Sequence, residues 1–267
     1  MTVRYRLAGS NFRGIAVQPV AELLTTQLGC TRVVGASPPP AGDPVLANGT
    51  ATIHVSANSG PGRITALVVA VDRFDAAPAD LARRGVTATP RPDGTLSVVD
   101  PDGLVTVVRP DDTSSIGTRE IGPHLHHVSI TTDQLMRSSE FYERAFGLAV
   151  AYDYAEPDEP AKLRFLADPQ FVNGGHEFLL ELMGPPFLLR EAAVFHRWGG
   201  ACFDHYCFTT GEPVELHATC LAAGCRSSEE PVFVEGFDLT LSYLFGPDDV
   251  EIELMDPPGA DTIALPS

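Results

Sequence analysis

The chain has 267 residues, which is enough for one large domain or for two domains of ordinary size. Hydrophobic residues make up 44% and charged residues 20% of the chain, a composition typical of globular proteins and not of disordered ones. The formal net charge of −17 repels nucleic-acid phosphates and anionic lipids, so we expect neither nucleic acid nor a membrane as a partner.

The N-terminal sequence and the cysteines predict a cytoplasmic protein. The first residues contain no apolar segment of the kind found in signal peptides, and no apolar stretch approaches the length of a membrane span. The five cysteines are odd in number and include no CxxC pair, which favours a reducing compartment.

Taken in chain order, the predicted elements repeat. Each half of the chain contains a short amphipathic helix, a strand, a second helix closed by a glycine, and a final strand. In the first half these elements are at residues 21–29, 64–71, 80–86 and 104–108. In the second half they are at residues 139–147, 203–208, 219–225 and 250–255. The repeat predicts a βαβββ unit that occurs four times, twice in each half.

The repeat also predicts two modules. We place the first module at residues 1–112 and the second at residues 120–267. Residues 109–123, which are rich in Asp, Ser, Thr, Gly and Pro, are the predicted linker between them.

Three motifs follow one another at the start of the second module. A strand that begins with HHVSI at residues 126–130 is followed by SEFY at 139–142 and by FGL at 146–148. In this order the motifs resemble a module of the vicinal oxygen chelate superfamily, which includes glyoxalases, bleomycin-resistance proteins and extradiol dioxygenases. The resemblance implies an α+β fold in which paired βαβββ units form two cupped mixed sheets. It also implies a divalent metal ion, held by the first, fourth, fifth and eighth strands of a module.

Four residues are the expected metal ligands, and each lies inside an apolar strand. A charged side chain in a buried strand is costly unless it is paired or bound to a metal. Because side chains alternate along a strand, each candidate ligand should face away from the apolar residues next to it. Two imidazoles with carboxylate oxygens suit one Fe, Mn, Co, Ni or Zn ion per chain. The candidates are His127, His205, Glu253 and, as the fourth, Glu181.

The first module lacks these ligands. Ala66 stands in the place of His205, and Val107 stands in the place of Glu253. His54 is the strand histidine of this module, and we interpret it as structural. The first module is therefore expected to be degenerate, so that only the second binds metal.

The favoured activity is that of an isomerase or epimerase, or of a lyase, acting through a metal-stabilised enediolate on a small oxygenated metabolite. The segment from Glu181 to His205, which passes through Gly184, Pro185 and Pro186, resembles the corresponding part of methylmalonyl-CoA epimerases. In this hypothesis a glutamate ligand, Glu181 or Glu253, is also the base that moves a proton.

A ring-cleaving Fe(II) extradiol dioxygenase is the alternative. Tyr243, ten residues before Glu253, resembles the tyrosine that precedes the glutamate ligand in that family and is a candidate catalytic residue. The family also has a histidine some residues before this tyrosine, but here residues 234–238 contain none. Asp238 is the nearest polar substitute, so the acid–base apparatus for ring cleavage is incomplete.

A second alternative is a ligand-sequestering resistance protein, since such members of the superfamily bind compounds in the cup and often lack metal ligands. The retained ligand set argues against it. In each hypothesis the partner is a small-molecule substrate that chelates the metal. The sequence leaves the substrate open, and a homodimer stays an alternative to the monomer.

Overall fold

The computed structural model describes residues 3–33, 43–59, 62–111, 123–154, 162–169, 178–185, 196–235 and 238–256. The first half contains β1 (Tyr5–Gly14), α1 (Val17–Thr26), β2 (Thr31–Arg32), β3 (Val45–Asn48), β4 (Ala51–Ala57), β5 (Arg63–Val71), α2 (Ala77–Arg83), β6 (Ala88–Pro90), β7 (Leu96–Val99) and β8 (Val105–Pro110). The second half contains β9 (His124–Thr131), α3 (Leu135–Phe146), β10 (Ala149–Tyr154), β11 (Leu163–Ala167), β12 (Leu179–Met183), β13 (Cys202–Thr209), α4 (Pro213–Ala222), β14 (Arg226–Val234), β15 (Leu239–Phe245) and β16 (Glu251–Met255). Short 3-10 turns at Phe74–Ala76 and Pro247–Asp249 precede α2 and β16.

Both halves fold into an eight-stranded mixed sheet with the same strand order. The first sheet has the order β2-β3-β4-β1-β5-β8-β7-β6, and the second has the order β10-β11-β12-β9-β13-β16-β15-β14. In each sheet the first strands of two βαβββ units pair antiparallel at the centre, and each first strand pairs in parallel with the last strand of its own unit. The predicted α+β fold with two glyoxalase-like modules is confirmed. We use first module for β1–β8 and second module for β9–β16.

The glycine predicted to end the first helix of each module is the C-cap residue in α3 but not in α1. In α3, Gly147 is the C-cap residue, and its φ of +72° is one that glycine adopts without strain. In the first module, α1 ends at Thr26 with Gln27 as the C-cap, so the predicted end at Gly29 is two residues too late. Gly29 still has a φ of +69°, but in the turn that leads away from the helix.

One face of each sheet packs into a hydrophobic core that continues from one module to the other. In the second module the core takes alternate residues of the strands, including Val128, Ile130, Leu180, Ile252 and Leu254. The residues between them, which include the expected ligands, therefore point to the opposite face, as strand alternation predicts. We call this opposite face of the second sheet the site face.

Polar contacts join the modules at the turn between β7 and β8. Tyr142 on α3 donates a hydrogen bond of 3.0 Å from its hydroxyl to Asp100 Oδ2. Thr132 donates one of 2.8 Å to Asp102 Oδ2, and Ser138 donates to the same oxygen. Burial raises the pKa of Asp100 to about 6, although hydrogen bonds from Leu104 N and Tyr142 oppose the shift.

The proposed boundary between the modules falls in residues 112–122, which lie outside the described part of the chain. None of the five cysteines, all of which are described, forms a disulfide. Among the described residues, no helix combines the length and the apolar composition needed to span a bilayer.

Candidate metal centre

The four expected ligands lie on four neighbouring strands at the middle of the second sheet. The order β12-β9-β13-β16 places Glu181, His127, His205 and Glu253 side by side. Cys207 is the register partner of both His127 on β9 and Glu253 on β16, so these two residues are at the same height in the sheet. All four side chains are on the site face, and we call them the four-residue cluster.

The side chains of the four-residue cluster converge through one atom each. His127 Nε2 lies 3.2 Å from Glu181 Oε2 and 3.3 Å from Glu253 Oε2. His205 Nε2 lies 3.6 Å from Glu181 Oε2 and 3.3 Å from Glu253 Oε2. Each residue of the cluster is at most 5% exposed. Two imidazoles and two carboxylates thus face one another in a buried space.

This arrangement fits a divalent metal ion. Two ligand atoms that each lie about 2.1 Å from one ion are about 3.0 Å apart at a right angle and about 3.4 Å apart at a tetrahedral angle. The observed separations of 3.2–3.6 Å match such ligand pairs. His127 Nε2 and Glu181 Oε2 are also buried without a well-formed hydrogen bond to any described residue, which is unfavourable unless an ion completes the site. The ligand atoms of His127, His205 and Glu253 all lie within 4.8 Å of one another.

The pKa shifts in the four-residue cluster also favour a bound cation. Burial alone would raise the pKa of Glu253, but the imidazoles of His127 and His205 hold it well below the usual value. Burial would lower the pKa of His127, and the carboxylates of Glu181 and Glu253 raise it instead. For His205 burial is likewise outweighed, by Asp204 and Glu253, and its pKa rises to about 10. The two carboxylates therefore attract positive charge to the centre, which a divalent cation would supply in place of imidazole protons.

Tyr243 is part of the same centre. It is the register partner of Glu253 on the neighbouring strand, and its hydroxyl donates a hydrogen bond of 2.9 Å to Glu253 Oε1. Its ring meets the His205 ring edge-on, with the centroids 5.4 Å apart. The sequence placed Tyr243 near the site by resemblance, and the structure shows which ligand it contacts.

His126 is a residue of the centre that the sequence interpretation missed. Because side chains alternate along a regular strand, the sequence places it on the face opposite His127. Instead β9 has a bulge, because its register with β13 passes from His127↔Cys207 to Leu125↔Phe208 and skips His126. Leu125 thereby joins the core, and His126 Nδ1 lies 2.8 Å from His127 Nδ1. A bulge re-aims side chains, and no pattern in the sequence marks this one.

Asp204 is a second residue of the centre that the sequence interpretation did not place there. Its Oδ2 accepts a hydrogen bond of 3.1 Å from Thr131 Oγ1 and lies 3.7 Å from His205 Nδ1. Alternation along a regular strand assigns Asp204 to the face opposite His205. The register between β9 and β13 shifts between Phe203 and Tyr206, however, and this brings both side chains to the site face.

The other polar candidates lie apart from the cluster or at its edge. Asp238, considered as a substitute for a catalytic histidine, is exposed in a turn with a φ of +50°. His196 is exposed too. Glu251 is buried on β16, two residues before Glu253, at one end of the site face. Residues 155–161 and 186–195 lie outside the described part of the chain.

At two of the four candidate ligand positions, the first module has apolar residues. Val68 is the register partner of Val107, just as Cys207 is that of Glu253. Ala66, two residues before Val68, then corresponds to His205. Together they belong to a buried apolar cluster made of Ala8, Ala66, Val68, Ala70 and Val107. The prediction that Ala66 and Val107 replace two ligands agrees with this register.

The remaining two ligand positions of the first module have changed as well. Gly9 corresponds to His127, and a Cβ atom there would overlap the backbone carbonyl of Thr52. His54 corresponds to Glu181, and its Nε2 lies 3.0 Å from Arg109 Nη1. His54 thus contacts a guanidinium group, which is consistent with its interpretation as a structural residue.

Comparison with known proteins agrees with the fold. The family model of the Glyoxalase/Bleomycin resistance protein/Dioxygenase superfamily matches residues 124–254. No curated protein sequence matches the chain. Among solved structures, the chain is similar to the Mn(II)-bound glyoxalase from Novosphingobium aromaticivorans, with a TM-score of 0.70 and 14% identity over 98% of this chain and 87% of the other.

Two further solved structures show the same likeness. The 2,3-dioxygenase LapB from Pseudomonas sp. KL28 has a TM-score of 0.70 and 12% identity over 94% of this chain and 91% of the other. A mutant of 4-hydroxymandelate synthase from Streptomyces coelicolor has a TM-score of 0.64 and 15% identity over 96% of this chain and 93% of the other. At such identities the likeness shows the fold and does not choose a reaction.

Proposed function

Because the second module belongs to the Glyoxalase/Bleomycin resistance protein/Dioxygenase superfamily, we propose that the chain is an enzyme whose four-residue cluster binds one divalent metal ion. We further propose that its reaction is a non-redox proton transfer, that of an isomerase, epimerase or lyase, on a small metabolite with two adjacent oxygen atoms. The observation that carries this proposal is the position of Glu181, whose Oε2 faces both imidazoles at 3.2 and 3.6 Å.

The two carboxylates of the cluster have different surroundings, and this difference assigns them different roles. Glu253 is held at both oxygens, by Tyr243 on one and by the imidazoles on the other, and its lowered pKa keeps it ionised. Glu181 Oε2 forms no well-formed hydrogen bond with a described residue. Glu253 is therefore the fixed anionic ligand, and Glu181 is the carboxylate that can accept and return a proton.

A bound divalent metal ion would supply Lewis acidity to two neighbouring oxygens of the substrate, which makes an adjacent C–H bond more acidic. With Oε2 facing the ion, Glu181 would take that proton at its other carboxylate oxygen, Oε1, and deliver it to the next carbon or back to the same carbon. The flanking parts of the site face are apolar and keep water from competing for the proton. They consist of Leu179 with Ala151, Ala167 and Phe165 on one side, and of Met255 with Cys207, Leu239 and Leu241 on the other.

The first test determines the bound metal and the use of dioxygen. The protein is purified without air, its metal content is measured by mass spectrometry, and a catechol is then offered under air. We expect manganese, cobalt, nickel or zinc at about one per chain, with no oxygen uptake. Iron together with oxygen consumption and a yellow ring-fission product would contradict the proposed proton transfer.

The second test concerns Glu181 itself. Metal-loaded protein in D₂O is mixed with a panel of 2-hydroxy ketones and 2-oxo acids, and the loss of C–H signals is followed by NMR. We expect metal-dependent exchange that Glu181→Gln abolishes, while the variant still binds metal through the other three ligands. Equal exchange rates in the variant and the wild type would show that Glu181 is not the base.

An extradiol dioxygenase remains the second candidate because of one contact. The buried Tyr243 hydroxyl beside a centre of two histidines and one glutamate is the arrangement that the resemblance to those enzymes implied. Against it, Asp238 is exposed and cannot serve in the buried centre. Oxygen uptake with a catechol, lost in Tyr243→Phe, would favour this candidate over the first.

A further inference from the structure

The bulge in β9 creates a contact between two adjacent histidines that the proposed reaction does not use. His126 Nδ1 and His127 Nδ1 lie 2.8 Å apart, which is hydrogen-bond distance. A neutral imidazole has one N–H donor and one acceptor nitrogen. One of the two Nδ1 atoms therefore carries a proton that it donates to the other.

The other side of the His127 ring decides which atom is the donor. His127 Nε2 faces Glu181 Oε2 and Glu253 Oε2 at 3.2 and 3.3 Å. A nitrogen that binds a metal ion has to be unprotonated. With Nε2 as the ligand atom, neutral His127 carries its proton on Nδ1 and donates it to His126 Nδ1. His126 then carries its own proton on Nε2.

We propose that His126 is a positioning residue of the metal centre: its Nδ1 accepts the Nδ1–H of His127 and holds that ring in the tautomer and orientation that present Nε2 to the ion. This inference rests on the proposed function, because it takes His127 as a metal ligand. A group that hydrogen-bonds the second nitrogen of a ligand histidine fixes its tautomer and strengthens metal binding.

Two features of the surroundings support this role. The Phe165 ring stands edge-on to both imidazoles, with centroid distances of 6.0 Å to His126 and 5.1 Å to His127, and so restricts rotation of both rings. The first module has the same bulge, since its register passes from Leu7↔Val69 to Gly9↔Val68 and skips Ala8. The bulge is common to both modules, but the histidine pair is found in the module that carries the four-residue cluster.

Two substitutions separate the hydrogen bond from the packing of the ring. His126→Asn keeps an acceptor oxygen at about the place of Nδ1 but removes the ring, whereas His126→Phe keeps the ring and removes the acceptor. His124→Phe, at the start of the same strand and opposite Thr209, is the matched control. The probe is Zn²⁺ alone, because it is diamagnetic and has no redox chemistry.

The first readout is the affinity for Zn²⁺, measured by competition with a chromophoric chelator. We expect His126→Phe to bind about 10- to 100-fold more weakly than the wild type, in line with other groups that orient metal ligands. His126→Asn and His124→Phe should stay close to the wild type. An unchanged affinity in His126→Phe, or an equal loss in His126→Asn, would overturn the inference.

The second readout needs no substitution and therefore does not depend on a variant that folds. In the ¹⁵N spectrum of histidine-labelled, zinc-loaded protein, His127 should carry its proton on Nδ1 and show a scalar coupling to His126 Nδ1 across the hydrogen bond. A proton on His127 Nε2 would overturn the inference even where zinc binds at one ion per chain. A wild type that binds no zinc would overturn the proposed function, and the role of His126 with it.

Discussion

Tyr243 and Glu253 face each other across the β15–β16 pair, and the Tyr243 hydroxyl donates a hydrogen bond of 2.9 Å to Glu253 Oε1. The other oxygen, Oε2, is thereby turned toward His127 and His205, at 3.3 Å from each. Tyr243 thus orients Glu253 from one side of the centre, and we propose that His126 orients His127 from another.

We expect Tyr243→Phe to weaken metal binding by about 10- to 100-fold, because Glu253 loses the donor that fixes its carboxylate. The measurement is a zinc titration with a competing chelator. Tyr206→Phe is the matched control, since it also removes a buried hydroxyl, one that hydrogen-bonds Tyr206 to Ser10 at 2.9 Å on the core side. The control should lower thermal stability and leave zinc affinity unchanged. Equal zinc affinity in Tyr243→Phe and the wild type would deny Tyr243 an orienting role.

Substitution of a candidate metal ligand is predicted to reduce metal binding more than Tyr243→Phe does. His127→Ala, His205→Ala and Glu253→Ala should each abolish stoichiometric metal binding, as measured by metal analysis after dialysis. Each removes one of the three residues whose ligand atoms lie within 4.8 Å of one another. His54→Ala, at the first-module position that corresponds to Glu181, should keep full occupancy. Full occupancy in any of the three site variants would show that the assignment is wrong at that position.

The same variants address the sequestering alternative. A protein that holds its ligand by apolar contacts in the cup should bind it equally well after His205→Ala. A substrate that chelates the metal should be lost together with the ion. Calorimetry can compare the binding of a candidate ligand to the wild type and to His205→Ala. Equal binding would favour a sequestering protein, and loss of binding would favour a substrate that chelates the metal.

The sequence predicts the faces of the strands but not their irregularities. Alternation of apolar and polar residues is enough to place Glu181 and Glu253 on one face, because β12 and β16 are regular and their neighbours Leu180 and Ile252 are buried in the core. His126 and Asp204 could not be placed in this way. A bulge depends on how two strands pair, and single-strand periodicity contains no information about the partner.

In the first module, the close approach of β1 to β4 can be tested by substituting a glycine. Gly9 has a φ of +130°, and a Cβ atom there would overlap the Thr52 carbonyl. Gly9→Ala should therefore lower the free energy of unfolding by several kcal/mol, which would raise the fraction unfolded in urea. Gly94→Ala is the matched control, because Gly94 has a φ of +81° but no atom within 4 Å of the added Cβ. Gly94→Ala should lower the free energy of unfolding by only about 1 kcal/mol, because only the left-handed backbone conformation disfavours alanine there. Similar costs in the two variants would mean that the close approach of β1 and β4 is absent in solution.

Asp100, at the contact between the modules, predicts a pH dependence of stability. Burial raises its pKa from the ordinary aspartate value of 3.8 to about 6 in the folded protein. Between these two pH values the unfolded state has lost a proton that the folded state keeps, so this group makes the free energy of unfolding fall as pH rises. The contribution lost over that window is about 3 kcal/mol, at about 1.4 kcal/mol per unit of pKa shift.

Asp100→Asn cannot titrate; its amide oxygen can still accept from Leu104 N, and its NH2 group can donate to the Tyr142 hydroxyl oxygen in place of accepting from it. The free energy of unfolding of the variant minus that of the wild type should therefore rise by about 3 kcal/mol between pH 4 and about 6, as measured by urea titration at several pH values. The exposed Asp75 provides a control, and Asp75→Asn should show no such rise. A difference in the free energy of unfolding that stays constant over this window would show that Asp100 is ionised in the folded protein. In that case the turn between β7 and β8 does not bury the Asp100 carboxylate against Tyr142.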